Sequence, residues 1–197
     1  MISIVMPCYN CETSLARTVR CVQAHTVSDW ELIAVDDGST DGTGEALDGL
    51  AQNDARIRAI HQANGGVSRA RNIGMAAAGG EWLAFVDADD VLPPDALQTL
   101  LALDDGAADI LCGAYTIRHT DEGGREEVLA CADGDRQTVL ESLVRTDSTL
   151  NSMCAKLYRA SKIREKGLCV PPGVKVGEDV LFNLDAFYAA HAFGLWL

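Results

Sequence analysis

Residues 81–90, EWLAFVDADD, give the clearest indication of the fold class of this chain. The continuous apolar run over 82–86 predicts a strand that is covered on both faces inside a parallel or mixed sheet. Such a strand delivers the residues that follow it to the carboxyl edge of the sheet, where open α/β sheets bind ligands. Asp87, Asp89 and Asp90 follow directly. Because crowded carboxylates repel one another, they need a cation or several hydrogen-bond donors nearby, and a divalent metal is the simplest compensation.

The same acidic segment also has a purely structural interpretation. Pro93 is favourable in the first turn of a helix, which predicts a helix over 93–103. Asp90 would then be an N-terminal acid that stabilises this helix. The segment by itself leaves the metal site and the helix cap equally open.

Apolar runs and helix-like segments alternate upstream of this segment. Strands are predicted over 2–6, 31–35 and 56–61, and helices from about Glu12 and over 44–50 and 68–78. This alternation is typical of βαβ units and predicts an α/β fold. We expect a Rossmann-like, three-layer arrangement with a mostly parallel central sheet and helices on both faces. Polar clusters follow the first, second and fourth strands, so they should meet at one edge of the sheet.

The pattern downstream of Asp90 is less regular. It predicts helices over 135–145, 161–166 and 178–190, antiparallel strands over 108–118 and 126–130 joined by a turn at 121–124, and an extended or irregular segment over 151–158. The chain ends on the apolar run 193–197, which is expected of a strand tied into a sheet or of a sequence that has been cut. We interpret residues 1–197 as one domain.

The composition is that of an ordinary globular domain: 197 residues, 48% apolar and 23% charged. This length is sufficient for one sizeable core. The formal net charge of −13 argues against a surface that binds nucleic acid or anionic lipid, because such binding needs a basic field. A phosphate ligand would have to be held locally, by a metal and a few arginines.

The sequence has neither a membrane-spanning nor an export signature. No window contains the roughly 18 consecutive apolar residues of a membrane span, and the N-terminal MISIVMPCYN lacks a basic region and a cleavage site. We therefore expect a cytoplasmic protein in which the seven cysteines are reduced.

Cys8 and Cys11 form a C-x-x-C motif between a predicted strand and a predicted helix. A thioredoxin-like redox pair would lie at such a place, where a helix N-terminus lowers the pKa of a thiol. A zinc site is a second alternative, with Cys21 and His25 as further ligands, but a second C-x-x-C motif is missing. Both alternatives leave the other polar clusters of the chain unexplained.

Six motifs together resemble one known family. They are VMPCYN at 5–10, VDDGSTDGT at 35–43, NGGVSRARNIG at 64–74, FVDADD at 85–90, KLYRASKI at 156–163 and GEDVLFN at 177–183. In order and spacing they resemble the family 2 inverting glycosyltransferases of the GT-A fold, bacterial enzymes that build envelope polysaccharides from nucleotide sugars. The resemblance covers essentially the whole chain. It implies a nucleotide-sugar-binding half, 1–92, and an acceptor-side half, 93–197, which we expect to be truncated because family members extend further.

The resemblance also implies which residues hold the donor. Pro7 and Tyr9 match positions that line the nucleobase, and an aromatic ring packs well on a pyrimidine. Asp37 matches the carboxylate that accepts a hydrogen bond from the base, and Asp36 lies beside it. Arg71 matches a position near the nucleotide. The expected donor is a UDP-sugar.

The acidic residues then receive roles from the same resemblance. Asp89 matches the direct ligand of Mn²⁺ or Mg²⁺, and Asp87 matches a ribose contact or a water-mediated metal ligand. Asp179 matches the general base that removes a proton from the acceptor hydroxyl, with Glu178 structural or second in line. Attack opposite the departing nucleoside diphosphate implies inversion without a covalent intermediate.

The expected acceptor is a saccharide or a lipid-linked saccharide, which would allow peripheral association with the inner face of the cell membrane. A non-catalytic nucleotide-binding module of the same fold remains an alternative, because fold does not determine function. A nucleotidyltransferase is disfavoured, since residues 7–10 lack the glycine-rich basic loop expected there.

Overall fold

The computed structural model describes residues 1–119, 125–129, 136–142 and 149–195. Its first part consists, in chain order, of β1 (Ile2–Cys8), α1 (Glu12–Gln23), β2 (Trp30–Asp36), α2 (Thr43–Asn53), β3 (Ile57–His61), α3 (Val67–Ala77) and β4 (Trp82–Phe85). Strand β1 pairs in parallel with both β2 and β4, and β2 pairs in parallel with β3. The predicted βαβ alternation is therefore confirmed.

The second part adds strands to the same sheet. It contains α4 (Ala96–Leu101), β5 (Ile110–Cys112), β6 (Tyr115–His119), β7 (Arg125–Leu129), α5 (Arg136–Ser142), a 3-10 turn (Thr149–Asn151), β8 (Lys156–Arg159), α6 (Ala160–Glu165), α7 (Glu178–Ala189) and β9 (Phe193–Leu195). Among the described residues, the large sheet has the order β3-β2-β1-β4-β8-β5-β9, and β6 and β7 form a separate pair. In the described part of the large sheet, the contacts of β8 with β4 and β5 are the antiparallel ones. The predicted fold class, a mostly parallel α/β sheet between two layers of helices, is confirmed.

Two cores lie on opposite faces of the large sheet. In β1, Ile4 and Met6 belong to one core and Val5 to the other, as the two-residue period of a strand requires. The core of Ile4 is completed from α1, α2 and α4 by Leu15, Val19, Leu47 and Leu97. The core of Val5 is completed from α3, α6 and α7 by Ala70, Ile163 and Phe182. Burial on both faces explains why the central strands are continuously apolar.

Three aromatic rings attach α7 to the sheet. Phe85, Tyr158 and Phe182 pack edge to face, with ring centroids 5.5–5.9 Å apart. The Tyr158 hydroxyl donates a hydrogen bond to Asn183 Oδ1 at 2.5 Å. The amide group of Asn183 in turn donates to the backbone oxygens of Asn151 and Ser152. These contacts position the first turn of α7 beside the end of β4.

The helix predicted over 93–103 is shorter, and the prediction that Asp90 caps it is wrong. Helix α4 begins only at Ala96. The Pro94 carbonyl accepts a hydrogen bond from the backbone of Thr26 at 2.9 Å. This tertiary contact holds the residues before Ala96 outside the helix and leaves the Asp90 side chain available for another role.

Two further boundaries differ from the prediction. The strand predicted over 108–118 is divided into β5, which joins the large sheet, and β6, which pairs with β7 as expected. The predicted turn at 121–124 and the end of the helix predicted over 135–145 lie outside the described residues. The segment 151–158, predicted to be extended or irregular, ends in the buried strand β8. Lys156 is tolerated there because its amine donates to the carbonyls of Ser152 and Cys154.

Candidate active site

A cleft of about 640 Å³ lies at the carboxyl ends of β1, β2 and β4. It is lined by most of the site residues predicted from the sequence, namely Pro7, Tyr9, Asp37, Arg71, Asp87 and Asp89. Asp36 and Asp179, which were also predicted, are not among its lining residues. The parallel pairing of the strands explains this convergence, since their carboxyl ends meet at one edge.

The loop after β1 presents Tyr9 at the cleft, with 53% of the residue exposed. The neighbouring Asn10 adopts a left-handed backbone conformation, with φ of 48°. This conformation is supported by two hydrogen bonds to the loop after β2: Asn10 N donates to Ser39 Oγ at 3.0 Å, and Asn10 Oδ1 accepts from Thr40 N at 2.8 Å. Asparagine tolerates the left-handed region better than most residues. The Tyr9 ring is therefore accessible to a planar ligand, and hydrogen bonds to the loop after β2 hold its own loop in place.

Asp37 organises the turn that precedes α3. Its buried carboxylate accepts hydrogen bonds from Gln62 Nε2 at 2.5 Å and from the backbone nitrogens of Gly65 and Gly66, each at 2.8 Å. Gly66 has a φ of 86°, a conformation that favours glycine. Asp37 thus has a structural role at the cleft that the sequence pattern did not reveal, and its contact with a nucleobase stays a prediction.

Asp36 lies behind the cleft and binds a histidine. Its carboxylate accepts from Ser39 N at 3.0 Å and lies 3.0 Å from His61 Nδ1, while His61 Nε2 lies 3.1 Å from Asp48 Oδ1. Burial raises the pKa of Asp36, but the hydrogen bonds of Ser39 and His61 outweigh it, so the net pKa is lowered. The hydrogen bonds to Asp36 and Asp48 raise the pKa of His61. The sequence predicted Asp36 as a donor-site residue; its observed partner is the last residue of β3.

We expect this contact to make the stability of the protein depend on pH. Because the pKa of His61 is raised on folding, its stabilisation is complete below the unfolded value of about 6.5 and is lost as the pH rises through the folded value. The effect should stay below about 1 kcal/mol, since the His61 side chain is 43% exposed. Urea denaturation of the wild type and of His61→Gln between pH 6 and 9 measures this contribution. Between these pH values only the wild type should lose this part of its free energy of unfolding. Parallel pH profiles of the two proteins would contradict the assignment.

Arg71 is the buried centre of an ion-pair network. Its side chain is 4% exposed, and its Nη1 contacts Glu178 Oε1 at 3.1 Å and Asp179 Oδ1 at 2.7 Å. Its Nη2 contacts Asp87 Oδ1 at 3.1 Å. Burial lowers the pKa of Arg71, but the charges of Asp179 and Asp87 outweigh burial and raise it overall. Arg71 therefore joins α7 to the acidic end of β4, a connection across more than 100 residues that no local pattern could predict.

Asp179 lies in the first turn of α7, beside the cleft but behind Arg71. Besides its ion pair, its Oδ2 accepts a hydrogen bond from Met153 N at 3.4 Å. Burial raises its pKa, the Arg71 charge opposes this, and the neighbouring Glu178 adds to the increase, so the net pKa is raised. The side chain is 24% exposed, and its role as a general base stays a prediction.

The acidic turn after β4 meets a cysteine that the sequence analysis did not select. Cys154 Sγ lies 3.5 Å from Asp90 Oδ2 and 4.0 Å from Asp87 Oδ2. Burial, followed by the charges of Asp87 and Asp90, raises the pKa of this thiol well above its ordinary range. Burial and the Asp87 charge likewise raise the pKa of Asp90. Asp90 thus points towards the protein interior, whereas Asp89 is exposed at the cleft.

This acidic turn has suitable groups for a hard divalent cation. One ligand atom each from Asp87, Asp90 and Cys154 lies within 4.8 Å of the others, and Asp89 adds an exposed carboxylate on the cleft side. Carboxylate oxygens suit Mn²⁺ and Mg²⁺, whereas a thiol does not suit Mg²⁺. The charges also fit, since the charge of Asp87 raises the pKa of Asp90 and a cation would relieve that repulsion. The structure thus brings Asp87 and Asp90 together as possible oxygen ligands, and the direct contact of Asp89 with a metal stays a prediction.

In sequence, residues 3–165 match the model of the family described as Glycosyl transferase family 2. The uncharacterized glycosyltransferase EpsJ of Bacillus subtilis is 35% identical over 96% of this chain and 57% of its own length. The glycosyltransferase GlyG of Streptococcus pneumoniae is 38% identical over 58% of this chain and 39% of its own length. The chain thus spans little more than half of the length of EpsJ.

In structure, the chain is similar to S. aureus TarS 1–349 in complex with UDP-GlcNAc, with a TM-score of 0.78, 23% identity and coverage of 99% of this chain and 55% of that one. It is also similar to the mannosyltransferase PcManGT of Pyrobaculum calidifontis in complex with GDP-Man and Mn²⁺, with a TM-score of 0.63, 18% identity and coverage of 90% and 49%. At these identities the likeness establishes a shared fold. Within the described residues, no helix combines the length and the apolar character needed to cross a membrane.

Proposed function

The chain belongs to glycosyltransferase family 2, and from this premise we propose that it transfers a sugar from a nucleotide-diphospho-sugar to an acceptor hydroxyl, with inversion at the anomeric carbon. A UDP-sugar is the favoured donor. A saccharide or lipid-linked saccharide is the acceptor, in the synthesis of a cell-envelope polysaccharide at the inner face of the membrane. The observation that carries the proposal is that an accessible tyrosine, Tyr9, and the carboxylates of Asp87 and Asp89 line the same cleft.

The nucleotide occupies the part of this cleft next to β1 and β2. Tyr9 packs against the base, and Pro7 lines the same side of the cleft. Asp37 holds the adjoining turn and accepts a hydrogen bond from the base. Two solved structures of the same fold support a nucleotide-sugar donor: TarS has been solved in complex with UDP and with UDP-GlcNAc. Arg71 lies at the floor of this site, with its terminal nitrogens bound to acids, so its contribution is to place Asp87 rather than to hold phosphate directly.

The diphosphate lies at the other end of the cleft, against the acidic turn. Asp89 would hold Mn²⁺ or Mg²⁺ directly, and Asp87 would contribute through water or through the ribose. When bound, such a cation stabilises the negative charge of the departing diphosphate, so that no protein acid is needed. The Mn²⁺ in the PcManGT structure supports a metal in this fold.

Asp179 serves as the general base in this proposal. The acceptor hydroxyl loses its proton to the Asp179 carboxylate as its oxygen attacks the anomeric carbon, on the face opposite the leaving diphosphate. The ion pair with Arg71 and the bond from Met153 N orient the carboxylate. Glu178, which shares Arg71 Nη1, supports this geometry.

A thermal-shift titration with UDP, GDP and CDP, each with and without Mn²⁺, tests the donor site. One nucleotide at about 100 times its dissociation constant should stabilise the protein by roughly 2.7 kcal/mol, which raises the melting temperature by about 5–10 °C for a chain of this size. We expect UDP to give this rise in melting temperature. Part of the rise should require Mn²⁺, and Asp89→Asn should abolish that part.

Asp95→Asn is the matched control, since Asp95 is an exposed acid just beyond the acidic turn and its side chain caps no helix. It should retain the full metal-dependent shift. Equal shifts in the two variants would exclude Asp89 as a metal ligand, and the absence of stabilisation by any of the three nucleotides would contradict the proposed donor site.

A further inference from the structure

The C-x-x-C motif is not used by the proposed transfer reaction, although both cysteines line the cleft. Cys8 is the last residue of β1 and is 1% exposed. Cys11 is half-buried and directly precedes α1 at its N-cap position. Between them lie Tyr9 and Asn10. The loop that presents the proposed base-stacking ring is therefore bounded by two free thiols.

The two thiols have different environments. Cys8 Sγ donates its single proton to the Met6 carbonyl at 3.6 Å, and the neighbouring Cys11 thiol raises the pKa of Cys8. Cys11 Sγ accepts from the Thr43 hydroxyl at 3.9 Å. The Cys11 thiol also lies at the N-terminus of a 12-residue helix, where the helix dipole favours a negative charge. Cys11 therefore lies beside the Thr43 hydroxyl and a helix N-terminus, whereas Cys8 is in the core.

These environments separate the reactivities of the two cysteines. The neighbouring Cys8 thiol is the largest influence on Cys11; burial opposes it, Thr43 adds to it, and the pKa of Cys11 is lowered to about 7. The neighbouring Cys11 thiol, followed by burial, raises the pKa of Cys8 far above its ordinary range. At neutral pH a large share of Cys11 is therefore thiolate, the nucleophilic form, while Cys8 keeps its proton.

We propose that Cys11 is a nucleophilic thiol that peroxides oxidise, that Cys8 is its resolving partner, and that the resulting Cys8–Cys11 disulfide weakens nucleotide binding in the cleft. The first two statements concern the thiols alone. The last rests on the proposed function, because it assumes that the cleft next to Tyr9 holds the nucleotide.

The oxidant is hydrogen peroxide, and the reaction has two steps. The Cys11 thiolate attacks one peroxide oxygen, the O–O bond breaks, and the departing hydroxide takes up a proton to become water, which leaves a sulfenic acid. The Cys8 sulfur then attacks the Cys11 sulfur, the S–O bond breaks, and the hydroxide takes the Cys8 proton to leave as a second water. In total, two thiols are oxidised to one disulfide and one peroxide is reduced to two waters.

The disulfide would alter the cleft through the loop that it closes. To reach Cys11, the Cys8 sulfur must give up its contact with the Met6 carbonyl. The intervening Asn10 is already held in a left-handed conformation by hydrogen bonds to Ser39 and Thr40. A new covalent ring across this loop would shift Tyr9, so we expect nucleotide affinity to fall about tenfold or more, a substantial loss of the stacking contact.

Alkylation of the native, reduced protein tests the nucleophile. With limiting iodoacetamide near pH 7 and peptide mass spectrometry, Cys11 should be labelled about tenfold faster than Cys21, which is also half-buried on α1, because the rate follows the thiolate fraction. Equal rates at Cys11 and Cys21 would overturn the proposal.

Peroxide treatment tests the pair. The peptide that contains both cysteines should lose two hydrogens, and dithiothreitol should restore them. In Cys8→Ala the oxidation of Cys11 should be slower, because Cys8 lowers the pKa of Cys11, and it should stop at a sulfenic acid that dimedone traps. Cys11→Ser should show neither product. Serine is a favourable N-cap residue, so this variant should fold, and Cys21→Ser is the control that should behave as the wild type. A disulfide that still forms in Cys11→Ser, or no oxidation of the wild type, would overturn the proposal.

Nucleotide binding is then compared between the reduced and the oxidised wild type by the thermal-shift titration. We expect the nucleotide to raise the melting temperature of the reduced protein more than that of the oxidised protein. Equal rises would overturn the proposed effect on binding. Absence of a shift in the reduced protein would instead contradict the proposed function, while the labelling and peroxide results would still decide the thiol chemistry.

Discussion

Replacing Arg71 with methionine is expected to destabilise the protein by about 3–5 kcal/mol, the usual consequence of removing one partner from a buried ion pair. The guanidinium is 4% exposed and contacts Asp87, Glu178 and Asp179. Methionine fills similar space but leaves three carboxylates without their shared cation, two of them on a helix that packs against the sheet. Urea denaturation near pH 7 measures the loss.

Two comparisons separate this effect from a general response to mutation. Arg69→Met on the same helix, at an exposed position, should change stability by less than about 0.5 kcal/mol. Lowering the pH towards 4 should reduce the difference between Arg71→Met and the wild type, because protonation removes the uncompensated charges. A loss below about 1 kcal/mol at neutral pH would show that water or other groups compensate the acids.

Replacing Asp179 with asparagine is expected to lower the rate of sugar transfer by about 10²–10⁴-fold, the usual contribution of a general base. Asparagine has nearly the same shape but cannot take the proton of the acceptor hydroxyl. Nucleotide binding should be preserved, since Asp179 does not line the cleft. The assay is release of free nucleoside diphosphate from the donor that the titration identifies, with and without a saccharide acceptor.

The pH dependence provides a second readout of Asp179. Its pKa is raised by burial, against the influence of Arg71, and a base must be ionised to act. The rate of the wild type should therefore fall as the pH decreases through this raised pKa, at a higher pH than the ordinary aspartate value of about 3.9 would give. Asp179→Asn should lack this acidic limb.

Asp185→Asn, an exposed change on the same helix, is the control and should keep both the rate and the pH profile. If Asp179→Asn retains the wild-type rate, Asp179 serves only as a counter-ion of Arg71. If the wild type binds nucleotide but shows no turnover with any saccharide, the chain as tested is a nucleotide-binding module.

The strands and the polar edge of the sheet were predictable from local patterns. Runs such as the one over 82–86 are continuously apolar because both faces of β4 are buried. The parallel order then follows from the alternation with helices, and it brings Tyr9, Asp37 and Asp87 to one edge. The hydrophobic periods of strands and helices extend over only a few residues, so a local sequence pattern is sufficient to predict them.

The partners of individual side chains depended on tertiary structure. Arg71 was predicted to lie near the nucleotide, but its ion pairs reach Asp179 through the packing of α7 against the sheet. Cys154 meets Asp90 because β8 lies beside β4. Neither contact has a local signal, since each depends on which surfaces meet after the chain has folded.

The sequence by itself thus determined the fold class, the edge at which the site lies and the family to which the chain belongs. Only the tertiary structure decided that Asp90 faces inward to Cys154, that Asp37 is engaged by the turn before α3, and that Arg71 links Asp87 to Asp179. The physical reason is that burial and hydrophobic periodicity are properties of short segments. The energy of a buried charge, by contrast, depends on whichever groups from distant segments surround it.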